Sequence, residues 1–374
     1  MKRIGIVASM LCACFVSAAW GQQPTCPAHT PWAQFLRYDM MRWNQCDKVL
    51  NVQNVGNLVL KWSYGTGNAV YSSPAVMDGV VYVGDYNRDV YALSAGTGAL
   101  LWSYTTYSAV DSSSPAVANG VVYIGSEDFN LYALHARTGA KLWSYATNGP
   151  VIFSSPAVVN GAVYFSSDNV YALNASTGAL LWSSPNYGSG GGPAVANGVV
   201  YASGGTTVYA LNASTGALLW SYAAANYVYS SPVVANGVVY FGSYDSNVYA
   251  LNASTGALLW SHATGSLVFS SPAVANGVVY IGSLDNKVYA LNASTGAKVW
   301  SYTTGASVYS SPAVANGVVY VGSDDGNVYA LDANTGAKLW SYTAGGLIAS
   351  SPVVANGVVY VGSDDGNVYA FGLP

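Results

Sequence analysis

The sequence predicts an all-β protein: an eight-bladed β-propeller of four-stranded antiparallel blades, in which an N-terminal strand completes the last blade. Two observations predict this fold. The first is a unit of about 40 residues that occurs eight times, marked by a tryptophan, a proline and a Tyr-Ala-Leu or Tyr-Ala-Phe tripeptide. A period of this length is typical of helical repeats and of propeller blades. The second is that each unit is rich in Val, Tyr, Gly and Ser, which favours strands.

Each unit contains four short apolar runs separated by turn residues, as the seventh unit illustrates. Residues 310–315 are predicted as strand A and 318–323 as strand B, with Asn316-Gly317 as the tight turn between them. Residues 327–331 form strand C, and 337–342, with the tryptophan, form strand D. Strand A contains a proline, which favours an edge position. Strand A is therefore expected to line the central channel.

The two ends of the repeat region complement each other. The last unit stops after Tyr369-Ala370-Phe371 and lacks a strand D, whereas residues 58–64 read as a strand D without a blade. Pairing the two would close the ring and remove an exposed sheet edge. The predicted organisation is a signal peptide at 1–21, a leader at 22–56 and the propeller at 57–374.

Composition excludes several classes of protein. Of the 374 residues, 52% are hydrophobic and 13% aromatic, which excludes intrinsic disorder. A formal net charge of −4 gives no reason to expect nucleic-acid binding. After the N-terminal segment, no apolar stretch of ~18 residues follows, so no transmembrane segment is expected once the signal is removed. The prediction is a monomeric propeller.

The N-terminus has the features of an export signal. Lys2 and Arg3 precede an apolar run at 4–16, and small residues allow cleavage after Ala19 or Gly21. This predicts a secreted or periplasmic protein. As an alternative, Leu11-Cys12-Ala13-Cys14 loosely resembles a lipoprotein cleavage box, which would anchor the chain through a lipidated Cys14.

Two cysteines remain after the signal, Cys26 and Cys46. An even number of cysteines in an exported chain favours a disulfide between them. The alternative is a pair of metal ligands, but no cluster of His or Cys accompanies them in the sequence.

The segment from Tyr329 to Trp340, Tyr-Ala-Leu-Asp-Ala-Asn-Thr-Gly-Ala-Lys-Leu-Trp, resembles the tryptophan-docking repeat of the quinoprotein (PQQ-like) propellers. That superfamily includes PQQ-dependent alcohol dehydrogenases and the outer-membrane assembly propeller BamB. The resemblance covers residues 57–374 and is specific for the fold. The leader, with Trp32-Ala-Gln-Phe35, Asp39 and Asn44, is also similar to the segment that precedes such propellers in secreted bacterial proteins.

The repeated tryptophans are expected to be structural, because identical residues at blade spacing dock neighbouring sheets. They are Trp62, Trp102, Trp143, Trp182, Trp220, Trp260, Trp300 and Trp340.

One face of the disc is expected to carry any binding site, near blades two to four. All variation in loop length falls in the loops that connect strand D to strand A and strand B to strand C, and most acidic residues lie there. This favours a cationic partner or weakly bound Ca²⁺; the alternative is that the Asp residues only shape turns. The predicted ligand-binding residues at the channel mouth, which could equally be interblade packing, are Tyr71, Asp111, Glu127, Phe153, Tyr229, Phe269 and Tyr309.

The resemblance to quinoprotein dehydrogenases implies Ca²⁺ held by Glu and Asn, an Asp base, a basic residue on the quinone and a vicinal cysteine pair. This chain has a single Glu, Glu127, and no strand A carries Arg or Lys. We therefore expect no catalytic or metal site and no PQQ. The predicted function is a non-enzymatic scaffold that binds an envelope or extracellular protein. The alternatives are a small-ligand or glycan binder at the channel mouth and, less favoured, a PQQ-dependent dehydrogenase.

We predict that Cys26 and Cys46 form a disulfide in the exported protein. The bond closes a loop of about 20 residues and contributes roughly 3 kcal/mol in the chain-entropy description. Mass spectrometry of peptides from the unreduced protein is expected to recover the two cysteines linked. Two free thiols would contradict the pairing.

Overall fold

The computed structural model describes Ala33, Phe35 and residues 41–184 and 190–374. The predicted signal peptide and Cys26 lie outside the described residues. No helix in the described part of the chain is long and apolar enough to cross a membrane.

Eight blades of four antiparallel strands form a β-propeller, as predicted, and a short strand from the leader adds a fifth, parallel strand to the sheet of blade seven. The strands of blades one to four, numbered in chain order, are β3 Ala75–Met77, β4 Val80–Gly84, β5 Asp89–Ser94 and β6 Leu100–Thr105; β7 Ala116–Ala118, β8 Val121–Gly125, β9 Asn130–His135 and β10 Lys141–Ala146; β11 Ala157–Val159, β12 Ala162–Ser166, β13 Val170–Asn174 and β14 Leu180–Ser184; β15 Ala194–Ala196, β16 Val199–Gly204, β17 Thr207–Asn212 and β18 Leu218–Ala223.

Blades five to eight repeat the pattern, and three leader elements precede the first blade. The blade strands are β19 Val233–Ala235, β20 Val238–Gly242, β21 Asn247–Asn252 and β22 Leu258–Ala263; β23 Ala273–Ala275, β24 Val278–Ser283, β25 Lys287–Asn292 and β26 Lys298–Thr303; β27 Ala313–Ala315, β28 Val318–Gly322, β29 Asn327–Asp332 and β30 Lys338–Thr343; β31 Val353–Ala355, β32 Val358–Gly362 and β33 Asn367–Gly372. The leader elements are β1 Trp43–Asn44, a 3₁₀ helix Val55–Asn57 and β2 Val59–Gly65.

The predicted closure of the ring is confirmed. Strand β2 pairs antiparallel with β33, with Val59 opposite Gly372 and Gly65 opposite Asn367. The eighth blade thus takes its outer strand from the leader, and no open seam is left between the first and last blades.

The inner strands are shorter than the sequence predicted. Strand β27 comprises only Ala313–Ala315, whereas strand A was expected over 310–315. Pro312 has no N–H to contribute to the ladder. Ser310 instead bonds to the second strand through its side chain, because its hydroxyl oxygen accepts the N–H of Gly322 at 3.0 Å.

Neighbouring blades meet through the repeated tryptophans. The indole N–H of Trp220, for example, donates to the carbonyl oxygen of Ala253 in the next blade at 2.9 Å. Its ring lies over Gly256, where an added Cβ would stand 2.7 Å from the indole. Trp340 faces the closing strand instead, and donates to the carbonyl oxygen of Leu58 at 3.0 Å.

The contact between Trp220 and Gly256 predicts that alanine at Gly256 lowers the free energy of unfolding more than alanine at Gly237. Gly256 and Gly237 both have positive φ, at 71° and 76°, so an alanine at either position costs about 1–2 kcal/mol of backbone strain. Only Gly256→Ala also drives a Cβ into an indole ring, which adds about 1–3 kcal/mol of overpacking; nothing lies within 4 Å of a Cβ at Gly237. Denaturant unfolding of both variants measures the difference, and equal losses would contradict the docking role of Trp220.

Candidate functional site

A cavity of about 420 Å³ opens at the channel mouth, on the face that carries the D–A and B–C loops. All five predicted aromatic residues line it, and they are joined by Tyr244, Leu347 and Phe35. The predicted five are Tyr71, Phe153, Tyr229, Phe269 and Tyr309.

Four of these aromatic side chains form a continuous arc from blade three to blade seven. The ring centroids of Phe153 and Phe269 are 5.6 Å apart, those of Phe269 and Tyr309 are 5.5 Å apart, and Tyr229 stacks on Phe269 at 5.9 Å. Phe153 also reaches Tyr229, at 5.9 Å, across the fourth blade. The fourth blade has Gly190 at the equivalent position and so contributes no aromatic side chain to the arc.

Asp111 and Glu127 do not line the cavity, although the sequence grouped them with the aromatic residues. The carboxylate of Asp111 accepts the N–H and the hydroxyl of Ser112 at 2.8 and 3.0 Å. Glu127 accepts the hydroxyl of Ser108 at 3.4 Å. The carboxylate of Asp111 thus bonds within its own loop, and that of Glu127 bonds to the neighbouring D–A loop.

Seven serines surround the channel below the aromatic arc. Each is the second serine of a Ser-Ser-Pro segment, and each but one donates its backbone N–H to the side-chain oxygen of the next. The ring closes between Ser351 and Ser73 at 3.0 Å, and it is interrupted at the fourth blade, where Gly192 stands. The members, all of which line the cavity, are Ser73, Ser114, Ser155, Ser231, Ser271, Ser311 and Ser351.

Asp324 is the ionisable carboxylate in the cavity wall, and the sequence did not distinguish it from its neighbour Asp325. Asp325 is a structural turn residue. Its carboxylate accepts the hydroxyl of Tyr329 and the N–H of Gly305, both at 2.6 Å. Burial acts to raise the pKa of Asp325, but these hydrogen bonds hold it below the usual value.

The pKa of Asp324 is shifted in the opposite direction. Burial, followed by the nearby charges of Asp325 and Asp364, raises the pKa of Asp324 to about 6. A hydrogen bond with Asp364, together with burial, raises the pKa of Tyr71 to about 12. The wall around blades seven, eight and one is therefore acidic, whereas the arc opposite is aromatic.

The leader occupies the channel beneath the cavity. Its backbone carbonyls accept hydrogen bonds from three inner strands: Ala33 from Val117 at 2.6 Å, Met41 from Val274 at 3.0 Å and Arg42 from Val314 at 3.0 Å. Strand β1 runs parallel to β27. This threading brings Phe35 into the cavity wall.

Arg42 is fully buried in the channel and binds inner-strand carbonyls. Its Nε donates to Pro312 at 2.7 Å, and its Nη2 donates to Ser311 at 3.2 Å and Pro352 at 3.0 Å. Its Nη1 donates to the carbonyl of Phe35 at 2.7 Å, and the guanidinium carbon lies 4.5 Å from the centroid of that phenyl ring. Burial lowers the pKa of Arg42 to about 9, so the guanidinium stays charged at neutral pH.

Because Ser311 and Phe35 both line the cavity, Arg42 brings a positive charge directly behind its wall. No strand-A segment carries a basic residue. The channel does contain one, and it comes from the leader.

The lower end of the leader is fixed by side chains. Asn44 donates to the carbonyl of Val354 at 2.8 Å, and the carboxylate of Asp47 accepts the N–H of Gly357 at 2.8 Å. Cys46 is disulfide-bonded, and its partner lies outside the described residues. The pairing of Cys26 with Cys46 stays a prediction. Across the described residues, no group of three or more His, Cys, Asp or Glu side chains is placed to hold a metal ion.

The fold and repeat define a β-propeller of the PQQ-like class. A family model described as "Outer membrane protein assembly factor BamB" matches residues 53–185, 166–307 and 265–373, and the chain belongs to this family.

Curated relatives match short parts of the chain. The alcohol dehydrogenase (quinone) dehydrogenase subunit of Gluconobacter oxydans is 37% identical over 76 residues, which are 20% of this chain and 10% of that protein. Quinohemoprotein alcohol dehydrogenase ADH-IIG of Pseudomonas putida is 40% identical over 73 residues, which are 19% of this chain and 10% of that protein. The matches thus span about a tenth of each relative's length.

Solved structures share the fold. A europium-containing methanol dehydrogenase superposes with a TM-score of 0.78 and 17% identity, covering 92% of this chain and 98% of that one. BamB from Moraxella catarrhalis superposes with a TM-score of 0.72 and 20% identity, covering 84% and 99% of the respective chains. At these identities the superpositions establish the fold alone.

The curated relatives contradict three expectations from the sequence: a non-enzymatic scaffold as the main function, the absence of enzyme activity, and the dismissal of PQQ. The physical reason for part of the error is Arg42. The strand-A segments carry no Arg or Lys, whereas the leader places this positive charge behind the cavity wall.

Replacing Arg42 is expected to release the leader from the channel. Arg42→Met leaves the carbonyls of Ser311, Pro312 and Pro352 without their donor, which costs on the order of 3 kcal/mol. Limited proteolysis within residues 33–47 and thermal unfolding measure the effect. Lys48→Met, at an exposed position of the same segment, is the control. Equal protease resistance in the two variants would contradict the anchoring role of Arg42.

Proposed function

We propose that this chain is a quinoprotein-type oxidoreductase that binds a planar quinone cofactor of the PQQ class in the channel-mouth cavity and oxidises an alcohol. The observation that carries the proposal is the cavity itself, which an aromatic arc and the carboxylate of Asp324 line and behind whose wall Arg42 lies buried. The quinone-dependent alcohol dehydrogenases among the relatives support the same chemistry.

The cavity wall fits a flat, anionic ring system. Aromatic side chains favour stacked and edge-to-face contacts with planar rings, and Phe153, Tyr229, Phe269 and Tyr309 offer such faces. PQQ carries carboxylates, and Arg42 places a positive charge behind the wall where the low dielectric strengthens attraction. The hydroxyls of the serine ring supply hydrogen-bonding groups around the rest of the wall. When bound, the quinone would take up the two electrons of the alcohol.

The residue that we assign to proton transfer is Asp324. An alcohol loses a proton as it is oxidised, and a general base works best when its pKa lies near the working pH. Burial and neighbouring carboxylates raise the pKa of Asp324 to about 6. Above that pH it is ionised and able to accept the hydroxyl proton; below it, it is protonated and inactive as a base.

We also propose an envelope location and an envelope protein as a partner. The family model's printed description and the fold likeness to BamB support an envelope location and an envelope protein as a partner. A pull-down from envelope extracts with the purified chain would identify such a partner.

The proposal predicts a pH-dependent, PQQ-dependent activity. With PQQ and Ca²⁺ added to the purified protein, dye-linked alcohol oxidation is expected to rise as the pH increases through about 6, because Asp324 ionises. Asp324→Asn is expected to lower kcat by about 10²-fold or more and to remove this limb, while PQQ still binds. Binding is measured separately by absorbance titration.

Glu127→Gln is the matched control for Asp324→Asn. Glu127 occupies the corresponding turn position in blade two and lies outside the cavity wall, so activity and pH profile are expected to stay at the unmutated level. Absence of both PQQ binding and dye reduction in the unmutated protein would overturn the proposal.

A further inference from the structure

A second cavity lies on the opposite face of the disc, between blades one and two. It has a volume of about 470 Å³ and is formed by the A–B turn of blade one and the C–D turn of blade two. We call it the blade 1/2 groove. Its charged lining residues are Asp78 and Arg137, and its apolar walls include Met77, Leu101 and Val117.

Both charges are departures from the repeat. The position of Asp78 is an asparagine in the other seven A–B turns, from Asn119 to Asn356. The position of Arg137 is a serine in four of the other C–D turns, a glycine in blade one and an asparagine in blade seven. In a chain of nearly identical units, two substitutions of opposite charge therefore face the same groove.

Tyr82 also lines the groove, near both charged positions. Burial and the carboxylate of Asp78 raise the pKa of Tyr82 to about 12, which places Asp78 near the phenol. The phenol donates to the carbonyl of Ala136 at 3.2 Å, and Ala136 directly precedes Arg137.

The backbone that carries Arg137 is held in place. The indole of Trp102 donates to the carbonyl of Ala136 at 2.8 Å, and the N–H of Arg137 bonds to Nδ1 of His135 at 3.3 Å. Among the described residues the ion pair that forms is Lys287 with Asp285, so Asp78 and Arg137 do not neutralise each other. Both side chains are exposed, so each can meet a ligand of opposite charge.

We propose that the blade 1/2 groove binds a zwitterion of the amino-acid class, with its ammonium at Asp78, its carboxylate at Arg137 and its apolar body against Met77, Leu101 and Val117. A guanidinium suits a carboxylate because two parallel N–H donors match its two oxygens. Free amino acids and short peptides share this chemistry. The site is separate from the channel-mouth cavity, and it does not depend on the oxidoreductase proposal.

Calorimetric titration of the purified full chain tests the ligand class. Leucine and the tripeptide Ala-Leu-Ala are the zwitterionic probes. The probe with the lower Kd shows whether the groove takes a free amino acid or a short peptide. Leucinamide, which lacks the carboxylate, and N-acetylleucine, which lacks the ammonium, are each expected to bind about tenfold more weakly than leucine. Failure of both zwitterions to bind, or equal binding of all four probes, would overturn the inference.

Variants that restore the repeat locate the site. Asp78→Asn and Arg137→Ser are each expected to weaken leucine binding about tenfold, whereas Asp324→Asn in the other cavity leaves it unchanged. Both substitutions lie in exposed turns and restore residues that the other repeats already carry, so folding is expected to be kept.

The groove between blades four and five provides a test of sufficiency. There the corresponding residues are Asn197 and Ser254, while Tyr201, Leu219 and Val234 repeat the groove walls. Adding Asn197→Asp and Ser254→Arg to the D78N/R137S protein is expected to recover leucine binding. Unchanged binding in the D78N and R137S proteins would place the ligand elsewhere.

Discussion

The buried guanidinium of Arg42 is the interaction on which the interior of this propeller depends. The inner strands are only three residues long, because the prolines before them cannot join a ladder, and the carbonyls of Ser311, Pro312 and Pro352 would otherwise lack donors. Arg42 satisfies all three at once. Its own φ of 52° is a strained value for a residue with a side chain, and its four hydrogen bonds hold it there.

Holding Arg42 in the channel also sets the form of the candidate site. The guanidinium fixes Phe35 through the phenylalanine carbonyl and through contact with its ring, so the leader becomes part of the cavity wall. The leader then forms β1 and is fixed by the hydrogen bonds of Asn44 and Asp47. The chain next enters β2, which closes the ring. One segment thus both seals the channel and completes the last blade.

The repeat pattern predicted the structural features that recur from blade to blade. Eight blades, the ring closure and the aromatic residues that stand three positions before five of the eight prolines follow from periodicity and from strand composition. Periodicity cannot rank members of a repeated set, which is why Asp324 and Asp325 looked equivalent. The structure separates them, since one accepts three local donors and the other faces the cavity.

The role of Arg42 could not be predicted from the sequence for a different reason. Its partner Pro312 lies 270 residues further along the chain, and no local pattern in the leader marks that contact. Glu127 and Asp111 illustrate the converse case. They depart from the repeat and were predicted as ligand-binding residues, but they lie outside the cavity wall and their carboxylates bond to nearby serines.

Asp324 in the cavity wall and Arg42 behind it both have pKa values that burial shifts toward neutrality, Arg42 downward to about 9 and Asp324 upward to about 6. Burial disfavours the charged form of both groups, so a ligand that brings an opposite charge or a hydrogen bond to either group stabilises its charged form. A ligand with an anionic edge gains from Arg42 and would be repelled by an ionised Asp324. Under the proposed function, such a ligand would bind with its anionic edge toward the leader and would leave the carboxylate facing the opposite end of the cavity. That orientation is the one in which a second molecule could deliver a proton to Asp324 without contact with the guanidinium.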